Sequence, residues 1–130
     1  MVFPLAFSEA NRPARPCISN MKQCALAYVH HAGDNNDTLP LATNWIDATE
    51  MYPKASKNVF KCPSAASYGY AMNLFVSGSK TNVEDPGLKP VLFETTDLRR
   101  NTSSYLQNSP SPSRHDKNCV SFLDGHVTTP

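Results

Sequence analysis

The sequence predicts an α+β fold, in which one N-terminal α-helix packs on a small antiparallel β-sheet within a loop-rich domain. Three observations carry that expectation. An apolar stripe at helical spacing runs from Ile18 to Ala32, short β-prone stretches follow from Val59 onward, and an Asp-Gly pair sits between two β-prone runs near the C-terminus. A helix followed by a run of strands is the α+β order.

Residues 1–16 open the chain with the apolar Met1-Val2-Phe3-Pro4-Leu5-Ala6-Phe7. Pro13 and Pro16 interrupt any helix running from Phe3 to Cys17, because proline lacks the donor and clashes with the preceding turn. Pro16 fits instead in the first turn of a helix that starts there. Ile18, Met21, Ala25, Tyr28, Val29 and Ala32 then recur at steps of three and four and form one face. Asn20, Lys22, Gln23 and His30 fall on the polar side, and Gly33 is the expected left-handed stop. A turn over Asp34-Asn35-Asn36-Asp37 follows.

A shorter helix is expected from Trp45 to Tyr52, capped by Thr43 or Asn44 and ended by Pro53. Val59–Cys62, Tyr68–Val76 and Val91–Glu94 read as strands, and residues 77–90 as a surface loop. Residues 99–117 hold Ser109-Pro110 and Ser111-Pro112 and show no periodicity, which predicts a long surface loop. Cys119–Leu123 and His126–Thr128 flank Asp124-Gly125, the pattern of a hairpin with a two-residue turn.

The totals fit a single domain over residues 1–130. A net charge of +1 sets no field for nucleic acid, so nucleic-acid binding is set aside. Eleven prolines and a mean hydropathy of -0.41 agree with many loops. No segment is apolar for the roughly 20 residues of a membrane helix. Four cysteines in so small and loop-rich a chain point to an extracytoplasmic, oxidising setting.

Cys17, Cys24, Cys62 and Cys119 include no Cys-x-x-Cys pair, which speaks for disulfides or buried thiols over zinc. In a continuous helix the Cα atoms of Cys17 and Cys24 lie roughly 10 Å apart, beyond disulfide reach. Two bridges would therefore be 17–62 with 24–119, or 17–119 with 24–62, and buried thiols are the alternative. Asp34 and Asp37 with Asn36, and separately Asp124, offer oxygen donors suited to calcium. The EF-hand order fails, since Leu39 stands at the glycine position, and turn formation accounts for these residues as well. His30 and His31 diverge by about 100° on a helix, while His115 and His126 flank the final hairpin. No nucleophile elbow, His-Glu-x-x-His or phosphate loop is present, so an enzyme is not expected.

Five blocks of the sequence resemble one family. Ala14-Arg15-Pro16-Cys17-Ile18-Ser19-Asn20-Met21-Lys22-Gln23 is similar to the Cys-x-x-Asn-Leu-Lys-Gln helix segment of type IV pilin-like and type II secretion pseudopilin proteins. Asp34-Asn35-Asn36-Asp37-Thr38-Leu39-Pro40 is similar to that family's helix exit. Phe60-Lys61-Cys62-Pro63-Ser64, with Ser67-Tyr68-Gly69-Tyr70-Ala71-Met72-Asn73, resembles its Cys-Pro…Ser-Tyr-Gly-x-Asn block. Val91–Glu94 resembles the strand before the last motif. Arg114-His115 through Asp124-Gly125-His126-Val127 resembles the family's His…Asp-Gly-His-Val ending, with one residue fewer between His115 and Asp124.

The resemblance implies a structural subunit of a pilus or type II secretion pseudopilus. Such a subunit is bacterial and extracytoplasmic, in the periplasm or at the cell surface, and it is anchored in the inner membrane before assembly. Residues 1–16 would be the remnant of an N-terminal anchoring helix, or a flexible lead-in, with the apolar anchor lying upstream of Met1. The partners would be copies of itself or related pilin subunits, and calcium is the one cofactor implied, since relatives bind it in a C-terminal loop. The alternative reading is a free secreted binding module that uses the 99–117 loop.

Overall fold

The computed structural model describes residues 15–52, 57–105 and 118–129. Within them the fold is α+β, as expected: an N-terminal helix lies against a five-stranded sheet of order β3-β1-β2-β4-β5. The strands are β1 Tyr70–Asn73, β2 Pro90–Glu94, β3 Thr102–Ser104, β4 Val120–Phe122 and β5 Val127–Thr128.

Helix α1 spans Arg15–Gly33, so Pro16 does sit in its first turn, where a missing N–H costs nothing. The buried face is Cys17, Met21, Cys24, Ala25, Ala27, Tyr28 and Ala32. Val29, expected on that face, is 37% exposed, so the stripe is rotated toward the cysteines. Gly33 is not the left-handed stop. The left-handed residues are Asn36 (φ 56°) and Asp37 (φ 57°), and the last carbonyls are closed from further along. The Asp37 amide donates to Ala32 O at 2.7 Å, and the Asn35 side chain donates to His31 O at 2.7 Å. Short polar residues thus take the place expected of glycine.

Helix α2 is Trp45–Thr49, preceded by a 3-10 turn at Ala42–Asn44 and shorter than the span to Tyr52. Pro53 lies outside the described residues. Neither Thr43 nor Asn44 caps it. The Asn101 carboxamide oxygen accepts instead from the Ile46 amide at 2.8 Å and from the Asp47 amide at 3.2 Å. Trp45 fills the core edge on to Phe60, with ring centroids 5.9 Å apart, and donates its indole N–H to Thr102 O at 3.0 Å.

Val59–Cys62 is not a strand. Lys57–Phe60 is a 3-10 turn that packs on α1 and buries both Val59 and Phe60 in the core. The stretch Tyr68–Val76 yields only β1 before a 3-10 turn at Leu74–Val76, whose Phe75 amide donates to the Asn73 side chain.

The sheet is mixed rather than antiparallel. β1 pairs antiparallel with β2, Ala71 opposite Phe93, but parallel with β3, Ala71 opposite Thr102. β3 lies inside the stretch expected to be loop, so residues 102–104 form the sheet edge, while 106–117 fall outside the described residues. β2 continues antiparallel to β4 with a register shift between Pro90 and Leu92, and β4 to β5 with Ser121 opposite Val127.

Among the described residues, no helix is long and apolar enough to cross a membrane. The core gathers Met21, Tyr28, Trp45, Ile46, Phe60, Tyr70, Met72, Val91, Leu92 and all four cysteines between α1 and the sheet.

Candidate functional site

The C-terminal hairpin is where the sharpest sequence motif lands. Its turn has three residues, Leu123-Asp124-Gly125, and not two. Phe122 O accepts from the Gly125 amide at 2.8 Å, and the Phe122 amide donates to His126 O at 2.9 Å. Only Gly125 has positive φ, at 93°, which is the three-residue turn with a glycine in the left-handed position.

The turn is held from both sides. On α1, the Tyr28 hydroxyl reaches Ser121 Oγ at 3.0 Å and the Phe122 carbonyl, and burial pushes its pKa well up. On the other side, Leu123 donates to Lys89 O at 2.9 Å, and a Cβ on Gly87 would stand 2.9 Å from Asp124 Oδ2. Asp124 Oδ1 accepts from the His126 amide at 3.0 Å and lies 2.6 Å from its Nδ1. Those two bonds hold the Asp124 carboxyl below the usual carboxylate range. The His126 ring stacks on Phe122 with centroids 4.5 Å apart. The motif's chemistry is therefore spent on fixing the turn. His115 lies outside the described residues.

A second constellation sits in the core. Cys17 comes from the first turn of α1, Cys62 from two residues past the 3-10 turn, Glu94 from the end of β2 and Cys119 from the residue before β4. All four are buried, Glu94 at 0% exposure. The sulfurs of Cys17 and Cys62 and a Glu94 oxygen lie within 4.8 Å of one another. Glu94 Oε2 accepts from the Cys119 amide at 2.7 Å, while Oε1 faces Cys62 Sγ at 3.7 Å. The Tyr70 hydroxyl donates to Cys17 Sγ at 3.4 Å.

The four cysteines are all thiols. Cys17 is in contact with both Cys119 and Cys62. The contact with Cys119 raises its pKa most, that with Cys62 lowers it, and burial beside Glu94 raises it again. Cys24 stands apart: its sulfur points to Val59 O at 3.2 Å, and burial alone drives its pKa up.

The remaining motif residues hold the frame. Asn20 donates its amide to Lys61 O at 3.1 Å, tying α1 to the segment that carries Cys62. Lys22 and Pro63 are exposed, and Gln23 is half-buried. Tyr68 lies beneath Lys61 and Arg100, whose cationic groups are 5.1 and 5.9 Å from the ring centroid. Gly69 takes φ 97°, and its carbonyl accepts from Thr95 at 2.9 Å. Buried Asn73 donates to Pro90 O at 2.9 Å and accepts from the Phe75 amide at 3.0 Å.

The calcium candidates are engaged in other bonds. Asp34 accepts from the Tyr52 hydroxyl at 2.9 Å, Asp124 is engaged with His126, and the Asp37 backbone carbonyl takes the Thr81 amide at 2.8 Å. Among the described residues, the group of three His, Cys, Asp or Glu side chains that converge is Cys17, Cys62 and Glu94, and none of those aspartates belongs to it.

Three contacts carry no short-range sequence signal: the placing of Glu94 among the thiols, the cap by Asn101, and Arg100 bridging Asp47 and Glu50 at 2.6 Å each. What the sequence does show is Glu94 as a carboxylate ending the apolar run Val91-Leu92-Phe93. Set against known proteins, the chain matches no family model, and neither the curated proteins nor the solved structures yield a match.

Proposed function

We propose that this chain is the head of a pilin-like structural subunit, assembling through an N-terminal helix into a pilus or a type II secretion pseudopilus. What supports the reading is the resemblance itself, five blocks in the family's order from Ala14 to Val127, several of whose residues lie in contact around α1. Asn20 is joined to Lys61, Cys17 to Cys62 and Cys119, Glu94 to Cys119, and Tyr28 to Ser121 and Phe122.

In this reading α1 continues an anchoring helix, and its outer side faces neighbouring subunits. That side carries Lys22, His30 and the exposed apolar Leu26 (52%) and Val29 (37%), a mixture suited to contacts formed on assembly. The sheet and its hairpin face outward, in the periplasm or on the cell surface. The partners are copies of the chain or related subunits, and the inner membrane before assembly.

Mass spectrometry of the native N-terminus, from membrane and surface-fibre fractions, tests this. The expected result is a methylated N-terminal residue followed by about 20 apolar residues ahead of Phe3. A native chain that starts at or near Met1 and stays out of fibres overturns it.

A further inference from the structure

We propose that Cys17, Cys62 and Glu94, with Cys119 as fourth donor, bind one thiophilic divalent cation of the zinc class. The donors come from α1, the segment after the 3-10 turn, β2 and the lead into β4, so the site would tie the helix to the sheet at its centre.

The distances suit such an ion. Zinc binds thiolate sulfur at about 2.3 Å and carboxylate oxygen at about 2.0–2.2 Å in a tetrahedron, which places sulfur and oxygen about 3.5 Å apart and two sulfurs about 3.8 Å apart. Cys62 Sγ and Glu94 Oε1 are 3.7 Å apart, and the three-donor set lies within 4.8 Å. The Cys119 amide lies 2.7 Å from Glu94 Oε2, which puts its side chain beside the three-donor set as the fourth donor.

The surroundings aim the donors. Glu94 is oriented by the Cys119 amide on Oε2, which turns Oε1 toward the sulfurs. Tyr70 donates to Cys17 Sγ, the kind of outer bond that orients a ligand. Sulfur donors select a borderline-soft metal over calcium or magnesium, which take oxygen shells. Four protein donors with no open position make a structural site. On binding, each ligating thiol releases its proton to solvent. Cys24, as deeply buried on the same helix but turned to Val59, is outside the set and serves as an internal control.

The competing fate is oxidation, since Cys17 lies beside two thiols. The test uses the full chain, reduced and stripped of metal, titrated with Co²⁺. Saturation at one equivalent is expected, with sulfur-to-cobalt charge-transfer absorption and intense tetrahedral ligand-field bands that Zn²⁺ abolishes. Cys24→Ser should keep the spectrum, Cys17→Ser should lower the charge-transfer intensity, and Tyr70→Phe should weaken binding about tenfold. A reduced wild-type chain without charge-transfer absorption overturns the proposal, and needs no variant to fold. Equal loss in Cys24→Ser overturns it too, as does a Cys17–Cys62 or Cys17–Cys119 disulfide in protein isolated from its native cells.

Discussion

The carboxamide oxygen of Asn101 accepts the backbone amide of Ile46 at 2.8 Å, and so caps a helix that begins more than fifty residues earlier in the chain. Asn101 can do this because it holds φ 58°, a conformation asparagine tolerates better than most residues. Its own amide donates to Asp47 at 2.8 Å. Asn101→Ala loses the cap and keeps an unfavourable φ, so it should cost about 1–2 kcal/mol. Asn101→Gly loses the same bonds without the strain and should cost less. Urea unfolding of the two variants gives the order, and an Ala variant as stable as the Gly variant would refute it.

Tyr28→Phe removes the hydroxyl that joins α1 to β4 while leaving the ring in the core. Ser121 Oγ keeps its bond from the Leu92 amide at 3.1 Å, but the Phe122 carbonyl loses a partner. The expected loss is about 1–2 kcal/mol, with m-value unchanged. Amide exchange should show the hairpin residues 120–128 opening first, since theirs is the contact removed.

Two glycines should respond in opposite senses to alanine. Gly125 holds φ 93°, with only an ordinary contact to Val29 at 3.7 Å awaiting a Cβ, so Gly125→Ala should cost about 1–2 kcal/mol through backbone strain. Gly33 has no atom within 4 Å of a new Cβ and is not left-handed. Gly33→Ala should stabilise by about 0.4–1 kcal/mol, because it restricts the unfolded chain. Thermal melts of both variants against wild type read the two signs.

Asp47 should shape the acid limb of the stability curve. Arg100 first, and Asn101 second, hold its carboxyl below the ordinary carboxylate value. Asp97 is held low in the same way by Arg99. In each case the unfolded chain takes up its proton at higher pH than the folded one. Stability from these groups is therefore present above about pH 4 and falls as pH drops through the lowered folded values. Asp47→Asn should flatten that fall below pH 4 and leave the fall due to Asp97, as followed by urea midpoints at stepped pH.

Much of the fold was legible because its signals are short-range. Apolar spacing from Met21 to Ala32 marks α1, Pro16 marks its first turn, and Asp124-Gly125 marks the hairpin even though the turn proved to hold three residues. Those features depend on φ, on missing donors and on side chains a turn apart, all of which are local properties of the chain.

Other features depend on partners far away in sequence. Thr102–Ser104 is a polar three-residue strand with no pattern of its own, and it exists because the exposed edge of β1 accepts it in parallel. Val59 and Phe60 are β-prone, yet packing on α1 holds them in a 3-10 turn, since burying both neighbours outweighs their propensity.

The amino-acid sequence by itself determined one helix, most of its buried face and a closing hairpin. Only the tertiary structure decided the mixed sheet, the cap from Asn101 and the meeting of Cys17, Cys62, Cys119 and Glu94. The physical reason is that four donors from four elements leave no spacing to read. Their convergence is set by how the helix seats on the sheet, which the sum of long-range contacts decides.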